Sequence, residues 1–389
     1  MKILHVTAEA PAFTSGGALC VYQSLQMLDP ISNEIDYVGP EIKDSRIKAL
    51  YKKAYELKPA AGMVDLLKIA VHFQHNKRFL SWKNLGLQYK RYAIAYLDFT
   101  KLDYVVSDIK KADVPIIVRA HNVESDYARN DFNNKKSFVK AVTYALAKKH
   151  ERYIVKHADR LLALTENDAG RFVQKYGISR DRVDVIPICM DAPGCSGMKV
   201  FSEPTRLLIT GSLWYGVNLD GILWFLDAVC PKIRSPYILR IAGANPPKEF
   251  VDLCRERQIE LVPSPPSMKE HLEWCDAVVC PIFSGAGMKV KIAEALAYGR
   301  PVITTGFGAI GYDIQNAVDS FVADSPEAFA ACIDRYCGLS TQEKETMMRS
   351  ARALFDSRYE IGIGREMLGR VLRNVLEQNA GSGLQGIQV

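Results

Sequence analysis

Nowhere in this 389-residue chain do apolar residues run together for the roughly 18 positions that a membrane-spanning helix needs, so none is expected. The segment Met1 to Ala8 is a short β-branched run containing His5 and lacks the apolar stretch of a secretory signal, which points to a cytoplasmic protein. Cysteine occurs nine times but never as C-x-x-C, and the closest pairs, Cys275/Cys280 and Cys332/Cys337, have the wrong spacing for zinc. Most lie in apolar runs, where reduced thiols behave as small buried hydrophobes. No D-x-D stands at the end of a strand-like run, so no metal is expected, and no pair of carboxylates has glycosidase character. G-x-G-x-x-G is absent, and no acidic residue closes a second strand at the offset that a dinucleotide ribose requires, which disfavours an NAD-dependent enzyme. The net charge of +6 is mild. It suits an anionic substrate or an acidic membrane surface, and with no RNA or DNA motif beside it no nucleic-acid partner is expected.

What is present has the balance of a globular protein, with 48% hydrophobic and 24% charged residues in a length that calls for two domains. Short apolar runs at Lys2–Thr7, Glu34–Val38, Tyr104–Val106, Pro115–Val118, Leu161–Leu164 and Val183–Pro187 read as strands. Helical stretches are read at Ala18–Leu28 and Lys136–His157, and after Thr165, an N-cap residue by type. Between Asp44 and Thr100 the pattern is poor, and two or three helices rich in Lys, Arg and Tyr are expected. Asp191–Gly197 (DAPGCSG) reads as a linker. Strand–helix alternation then restarts, with strands at Arg206–Thr210, Ile238–Ala242, Glu260–Pro263, Ala277–Pro281 and Pro301–Thr304. Two doubly wound parallel-sheet domains follow, spanning 1–192 and 200–358. A C-terminal helix at 359–379 is expected to pack back on the first domain, with a disordered tail from Ala380. Ligands of such sheets sit at the carboxyl ends of the strands, so a cleft between facing domains is the expected site.

Two glycine loops bear on chemistry. Ser15-Gly16-Gly17 follows the first strand and opens a helix, either to let a ligand approach the backbone or to make a turn of positive φ. The segment Pro281–Thr305, PIFSGAGMKVKIAEALAYGRPVITT, reads as a strand, a small-residue loop Ser284–Gly287 and a helix beginning near Met288. Lys289 and Lys291 fall in its first turn, where cations oppose the helix dipole, so a bound anion explains them better than helix stability does. Glu294 lies three residues beyond Lys291 and is placed to accept hydrogen bonds from vicinal hydroxyls. The alternative is a solvated Lys–Glu pair.

S-G-A-G followed by K-x-K-I-x-E-A-L-A-x-G-x-P-V-I-x-T resembles the donor-site signature of glycosyltransferase family 4, retaining enzymes of GT-B fold, and in particular bacterial transferases of polysaccharide and lipid-linked glycan assembly. Gly16-Gly17, Arg119–Ser125 (RAHNVES), Val185–Asp191 (VIPICMD) and Thr210–Asn218 (TGSLWYGVN) agree in order with further segments of that family, while Asp44 to Lys101 carries little resemblance. The resemblance implies two Rossmann-like domains, a nucleotide-diphosphate sugar as donor substrate and no cofactor. It implies that Glu294 holds the ribose hydroxyls, that Lys291, helped by Lys289, neutralises the diphosphate, and that His121 stands against the sugar. Gly16, Gly17, Gly211, Ser212, Asn218, Ser284, Gly285, Ala286, Gly287 and Met288 complete the expected donor site. In two places the chain departs from the family. Ala286 stands where a second glutamate is usual, and Ser212 and Asn218 occupy roughly the places of an Arg and a Lys, which leaves the charge to Lys289 and Lys291. Arg119, Arg240 and Arg300 remain as unplaced cations.

His121 follows an apolar strand beside Asn122 and Glu124, which is read either as orienting the ring or as capping the next segment. Trp214 and Tyr215 are read as bordering the nucleotide or packing in the core. The stretch 68–91 interleaves basic residues and aromatics, as either a peripheral contact with anionic lipid or an ordinary amphipathic surface, and a lipid contact would make the acceptor a lipid-linked saccharide. A nucleotide-sugar 2-epimerase and a non-catalytic nucleotide-sugar-binding protein are the rival readings on the same scaffold.

Overall fold

The structure, a computed structural model, describes residues 1–13, 15–58, 82, 85–134, 137–193, 201, 203–285 and 287–384. The chain divides into two compact units, Met1–Ile188 with Ile361–Val389, and Cys189–Glu360. Each is a parallel sheet with helical connections.

In the first unit the strands are β1 (Lys2–Thr7), β2 (Glu34–Gly39), β3 (Lys53–Glu56), β4 (Ile94–Asp98), β5 (Ile116–Ala120), β6 (Arg160–Ala163) and β7 (Val183–Val185), in the order β3-β2-β1-β4-β5-β6-β7. The central strands are buried on both faces, which is why they read as continuous apolar runs. Thr7 lies level with Asp98 and Asp98 with Arg119, so the carboxyl ends of β1, β4 and β5 finish side by side. Leu4, Val6, Leu97, Val118, Ile154 and Phe172 belong to one core cluster of this unit.

Several expectations are corrected here. Tyr104–Val106 is not a strand but part of the helix Asp103–Lys111. Val105, Val106 and Ile109 are buried together at helical spacing, so tertiary burial overrides the β-branched preference of the run. The region Asp44–Thr100 holds β3 and β4 and a short helix Ser45–Lys48, rather than helices alone. A helix at Glu124–Asn134 was also not anticipated. Gly16 and Gly17 are already helical, in Gly16–Leu28, and neither has positive φ. The N-cap of that helix is Ser15, whose side chain accepts from the Ala18 N–H at 3.2 Å. Thr165 caps the helix Glu166–Tyr176 in the same way, accepting from the Asp168 N–H at 3.0 Å. The last helix runs from Ile361 to Leu384, past the expected start of a disordered tail. It packs on the helix Gly16–Leu28, where Arg365 Nε donates to the Gln26 carbonyl at 3.1 Å. The basic and aromatic stretch 68–91 lies outside the described residues except for Trp82 and 85–91, and most of the expected linker lies outside them as well. Among the described residues no helix is long and apolar enough to cross a membrane.

The second unit comprises β8 (Thr205–Ser212), β9 (Tyr237–Ala244), β10 (Glu260–Pro263), β11 (Ala277–Cys280), β12 (Val302–Thr304) and β13 (Phe321–Val322), ordered β10-β9-β8-β11-β12-β13. Leu207, Ile209, Phe225, Val279, Ile303 and Phe329 form its core. Close backbone approach fixes where the helix Gly216–Trp224 lies. A Cβ on Gly221 would stand 1.7 Å from the Pro281 carbonyl oxygen, at the end of β11, whereas one on Gly216 meets nothing within 4 Å. Gly221→Ala should therefore prevent folding of this unit or lower its melting point severely, beyond the ordinary ~1–3 kcal/mol of overpacking. Gly216→Ala should be near neutral, and equal melting curves for the two variants would contradict this packing.

Candidate functional site

In the second unit, β8 ends in Gly211-Ser212 and β11 ends just before the loop that leads to the helix Val290–Ala297. These two strands are neighbours in a parallel sheet, so both loops emerge at its carboxyl edge. Gly285 and Gly287 take φ of +118° and +61°, conformations that a side chain rarely tolerates, and this accounts for glycine at both. Ala286 lies outside the described residues. Ser284 is exposed and Met288 is buried.

Lys291 reaches across to β8. Its Nζ donates to Asn218 Oδ1 at 3.0 Å, while Asn218 Nδ2 donates to the Ser212 carbonyl at 2.9 Å. The amide is thereby fixed at both ends and orients the ammonium. Gly211, at φ +146°, makes room: a Cβ there would lie 2.8 Å from Lys291 Nζ. Gly211, Ser212, Asn218 and Lys291 are thus brought together as one group. Burial pushes the Lys291 pKa down, opposed by the nearby Cys280 and Glu294.

The Glu294 carboxylate has no hydrogen-bond or ion-pair partner among the described residues, so the simple Lys–Glu pair is not what the structure contains. Burial raises its pKa to about 7, with Lys291 opposing the rise. A carboxylate and an ammonium drawn partly out of water, with one of them unpartnered, form an arrangement suited to a ligand that carries both hydroxyls and negative charge. Lys289 is placed differently from Lys291. It occupies the N-cap position, its Nζ donates to the Gly287 carbonyl at 2.6 Å, and it stands 4.9 Å from the Phe307 ring centroid. Its ammonium closes the loop on itself.

The three unplaced arginines have structural partners. Arg119 is fully buried and donates to the Pro187 carbonyl, Arg240 pairs with Glu260 and lies over Trp274, and Arg300 donates to the carbonyls of Leu272 and Glu273. Trp214 is 58% exposed, so core packing is not its role.

In the first unit His121 directly follows β5 and is buried. Its Nε2 stands 2.8 Å from Asp98 Oδ1, and His5 Nε2 stands 2.7 Å from Asp98 Oδ2. A carboxylate only accepts, so both imidazoles present N–H at Nε2. Ser24 Oγ adds a third donor to Asp98 at 3.0 Å, and the Tyr51 hydroxyl stands 3.0 Å from His5 Nδ1. Burial alone would raise the Asp98 pKa, but the two imidazoles outweigh it and hold the carboxyl well below the usual range. For His121 burial opposes the charge, and Asp98 with Cys20 outweighs it, raising the pKa to about 9.

Glu124 neither hydrogen-bonds His121 nor caps its helix through its side chain. Its carboxylate pairs with Lys101 at 2.9 Å. The cap comes from Glu151, fully buried, which accepts from the backbone N–H of Glu124 at 2.8 Å and of Ser125 at 3.1 Å, and from the hydroxyls of Thr100, Ser125 and Tyr176. Gly16 and Gly17 begin the helix that carries Cys20. A Cβ on Gly17 would lie 2.6 Å from Glu9 Oε2, so a carboxylate of this chain already stands at that helix N-terminus. Asp98, His5, Glu9 and Glu151 were not singled out from the sequence. An apolar run ending in Asp, IAYLD, was the available signal for Asp98.

Residues 204–338 match the family model of group 1 glycosyl transferases. The match supports a group 1 glycosyltransferase. An uncharacterized 44.6 kDa protein in the cps region of Klebsiella pneumoniae is 23% identical over 367 residues, 86% of this chain and 90% of that protein. A D-inositol 3-phosphate glycosyltransferase of Nocardia farcinica is 24% identical over 206 residues, 46% of this chain and 44% of its own. Among solved structures, HepE of Anabaena in complex with UDP-glucose superposes with a TM-score of 0.69 at 14% identity, over 96% of this chain and 100% of that one. Sucrose-phosphate synthase of Thermosynechococcus elongatus gives 0.72 at 12% identity, over 97% and 99%. These likenesses show the fold, GT-B with two Rossmann-like parallel-sheet domains.

The titration of Glu294 gives a test of the site. Its folded value of about 7 lies above the ordinary 4.5, so its contribution to stability is present at low pH and is lost as pH rises through 7. Glu294→Gln should therefore gain stability relative to the parent between pH 5 and pH 8, read from urea midpoints at the two values. A difference of the same size at both would contradict the burial of this carboxyl.

Proposed function

We propose that the chain is a retaining, metal-independent glycosyltransferase of the family 4 type, taking a sugar from a nucleoside diphosphate to a saccharide or lipid-linked acceptor in polysaccharide or glycan assembly. The observation that carries this reading is Lys291, oriented by Asn218 against Gly211 and set beside the unpartnered Glu294 at a strand–loop–helix turn. Glu294 is suited to ribose hydroxyls, and Lys291 to the diphosphate, whose charge grows as the sugar leaves. A fixed cation there stabilises the transition state more than the ground state. The N–H groups that open the helix Val290–Ala297 add donors for the same phosphates.

Retention in this reading uses no enzyme nucleophile. The leaving phosphate oxygen accepts the proton of the attacking hydroxyl on the same face of the sugar, and the protein supplies position and charge. His121 belongs to the first unit, to which the reading assigns the acceptor. Lys289 is a loop-closing residue in this account, so the diphosphate depends on Lys291. The relative in the Klebsiella cps region fits polysaccharide assembly, and the UDP-glucose bound in HepE makes UDP the first diphosphate to try.

A thermal-shift panel of UDP, GDP, ADP and dTDP should give one nucleotide that raises the melting point. With its sugar, slow release of free nucleoside diphosphate is expected from the parent protein. Lys291→Ala and Glu294→Ala should each lower that rate by about 10²–10³-fold with the fold retained. Sugar conversion without nucleotide release would favour the epimerase, and binding without either would favour the inactive module. Full activity in both variants would overturn the assignment.

A further inference from the structure

The helix Phe138–His157 of the first unit is buried along only one half of its length. Ala147, His150, Glu151, Ile154 and Val155 are buried, at the i, i+3, i+4 spacing of a single inward stripe. Before Ala147 the stripe stops. From Ser137 to Leu146 no residue is buried, so the first two turns stand clear of the core. They are well-formed turns, because the Ser137 side chain caps them by accepting from the Lys140 N–H at 3.3 Å. Their side chains are largely apolar. Phe138 is 85% exposed and Val139 73%, the two highest values among the exposed large hydrophobic side chains of the described residues. A single exposed apolar residue is ordinary, but two adjacent ones at a projecting helix tip call for a partner.

The face opposite the buried stripe changes character along the helix. At about 3.6 residues per turn it carries Phe138, Val142, Ala145, Lys149, Arg152 and Lys156. The first three are apolar and the last three basic. Lys148 adds a cation beside them, and Lys148, Lys149, Arg152 and Lys156 are all exposed, with no ion pair among the described residues. The one acid of the helix, Glu151, is buried and accepts from the backbone N–H groups of Glu124 and Ser125. The outward side of this helix therefore shows apolar turns followed by uncompensated positive charge.

That order selects the occupant. The same helix of a second copy would set cations against cations in a parallel pairing, or against apolar turns in an antiparallel one, with no exposed acid to offer in either. A projecting tip has no concavity in which to enclose a small ligand. It fits a surface that yields, where acyl chains take up Phe138 and Val139 and acidic headgroups meet the cations farther along.

We propose that the helix Phe138–His157 is a membrane-docking element, with Phe138 and Val139 entering the interface of an anionic bilayer and Lys148, Lys149, Arg152 and Lys156 held on its headgroups. Either half alone gives weak, reversible attachment, and the two signals together give a stable one. The surface is distinct from the stretch 68–91, and the inference does not depend on the transferase reading. Joined to that reading, it would bring the enzyme to the surface where a lipid-linked acceptor resides.

Co-sedimentation of the full chain with vesicles tests this, using phosphatidylcholine alone and phosphatidylcholine with phosphatidylglycerol. Binding to the anionic vesicles that falls as salt is raised is expected, with little binding to the neutral ones. Phe138→Ser combined with Val139→Ser should weaken partitioning by about tenfold or more. Lys149→Ser combined with Arg152→Ser should weaken it on the order of 20-fold and flatten the salt dependence. All four side chains are exposed, so these variants should melt with the parent. Val318→Ser, at a half-exposed apolar position of the second unit, should bind as the parent does. Equal binding by the parent and the Phe138→Ser, Val139→Ser protein overturns the proposal, as does equal binding to neutral and anionic vesicles or binding to neither. Dimers that vanish with those two substitutions, in a protein that ignores vesicles, would assign the tip to a second copy instead.

Discussion

One ammonium held partly out of water organises the candidate donor site. Lys291 gives up hydration, and a single neutral amide, Asn218, compensates for only part of it. Glu294 on the next turn gives up hydration with no hydrogen bond in return. For both groups burial disfavours the charged form. In the proposed reading a ligand with a diphosphate at one end and vicinal hydroxyls a few ångströms away satisfies both, and that differential is what a transferase requires of its donor site. The glycines support this economy of space. Gly211 leaves room for the ammonium, Gly221 lets a helix settle on the backbone at Pro281, and Gly285 and Gly287 turn the chain sharply enough for a helix to begin beside Lys291.

The first unit solves a related problem with opposite means. Asp98 and Glu151 are both fully buried carboxylates, and both are satisfied several times over. Glu151 anchors the start of the helix Glu124–Asn134. Asp98 gathers His5, Ser24 and His121. The strained Phe99 sits between Asp98 and Thr100, so the two networks are joined through one peptide segment that has little freedom to relax. Low dielectric makes these bonds strong and makes the loss of any partner costly.

Legibility followed the locality of the signal. The stretch Pro281–Thr305 could be read because strand, loop and helix are consecutive and the glycines and lysines sit at fixed offsets, whereas around Gly211–Asn218 the loop is shorter than expected, with Gly211-Ser212 closing β8 and Asn218 already in the helix Gly216–Trp224. The Asp98 cluster could not, because its members come from positions 5, 24, 98 and 121 and meet only through parallel registers set by the whole sheet. Asp98 is hidden in the sequence because IAYLD falls in the poorly patterned region between Asp44 and Thr100, where helices are expected. Tyr104–Val106 misled in the other direction, because β-branched residues at the inner face of a helix look like a strand when their burial partners are unknown. The sequence also offered no way to see that Lys289 turns back on Gly287 while Lys291 reaches Asn218, a difference of side-chain direction two residues apart.

The most direct test is a crystal structure of the protein with the nucleoside diphosphate that binds it. The account predicts phosphate oxygens within hydrogen-bond reach of Lys291 Nζ and ribose hydroxyls on the Glu294 carboxylate. A nucleotide bound elsewhere on the molecule, with Lys291 still held only by Asn218, would contradict it.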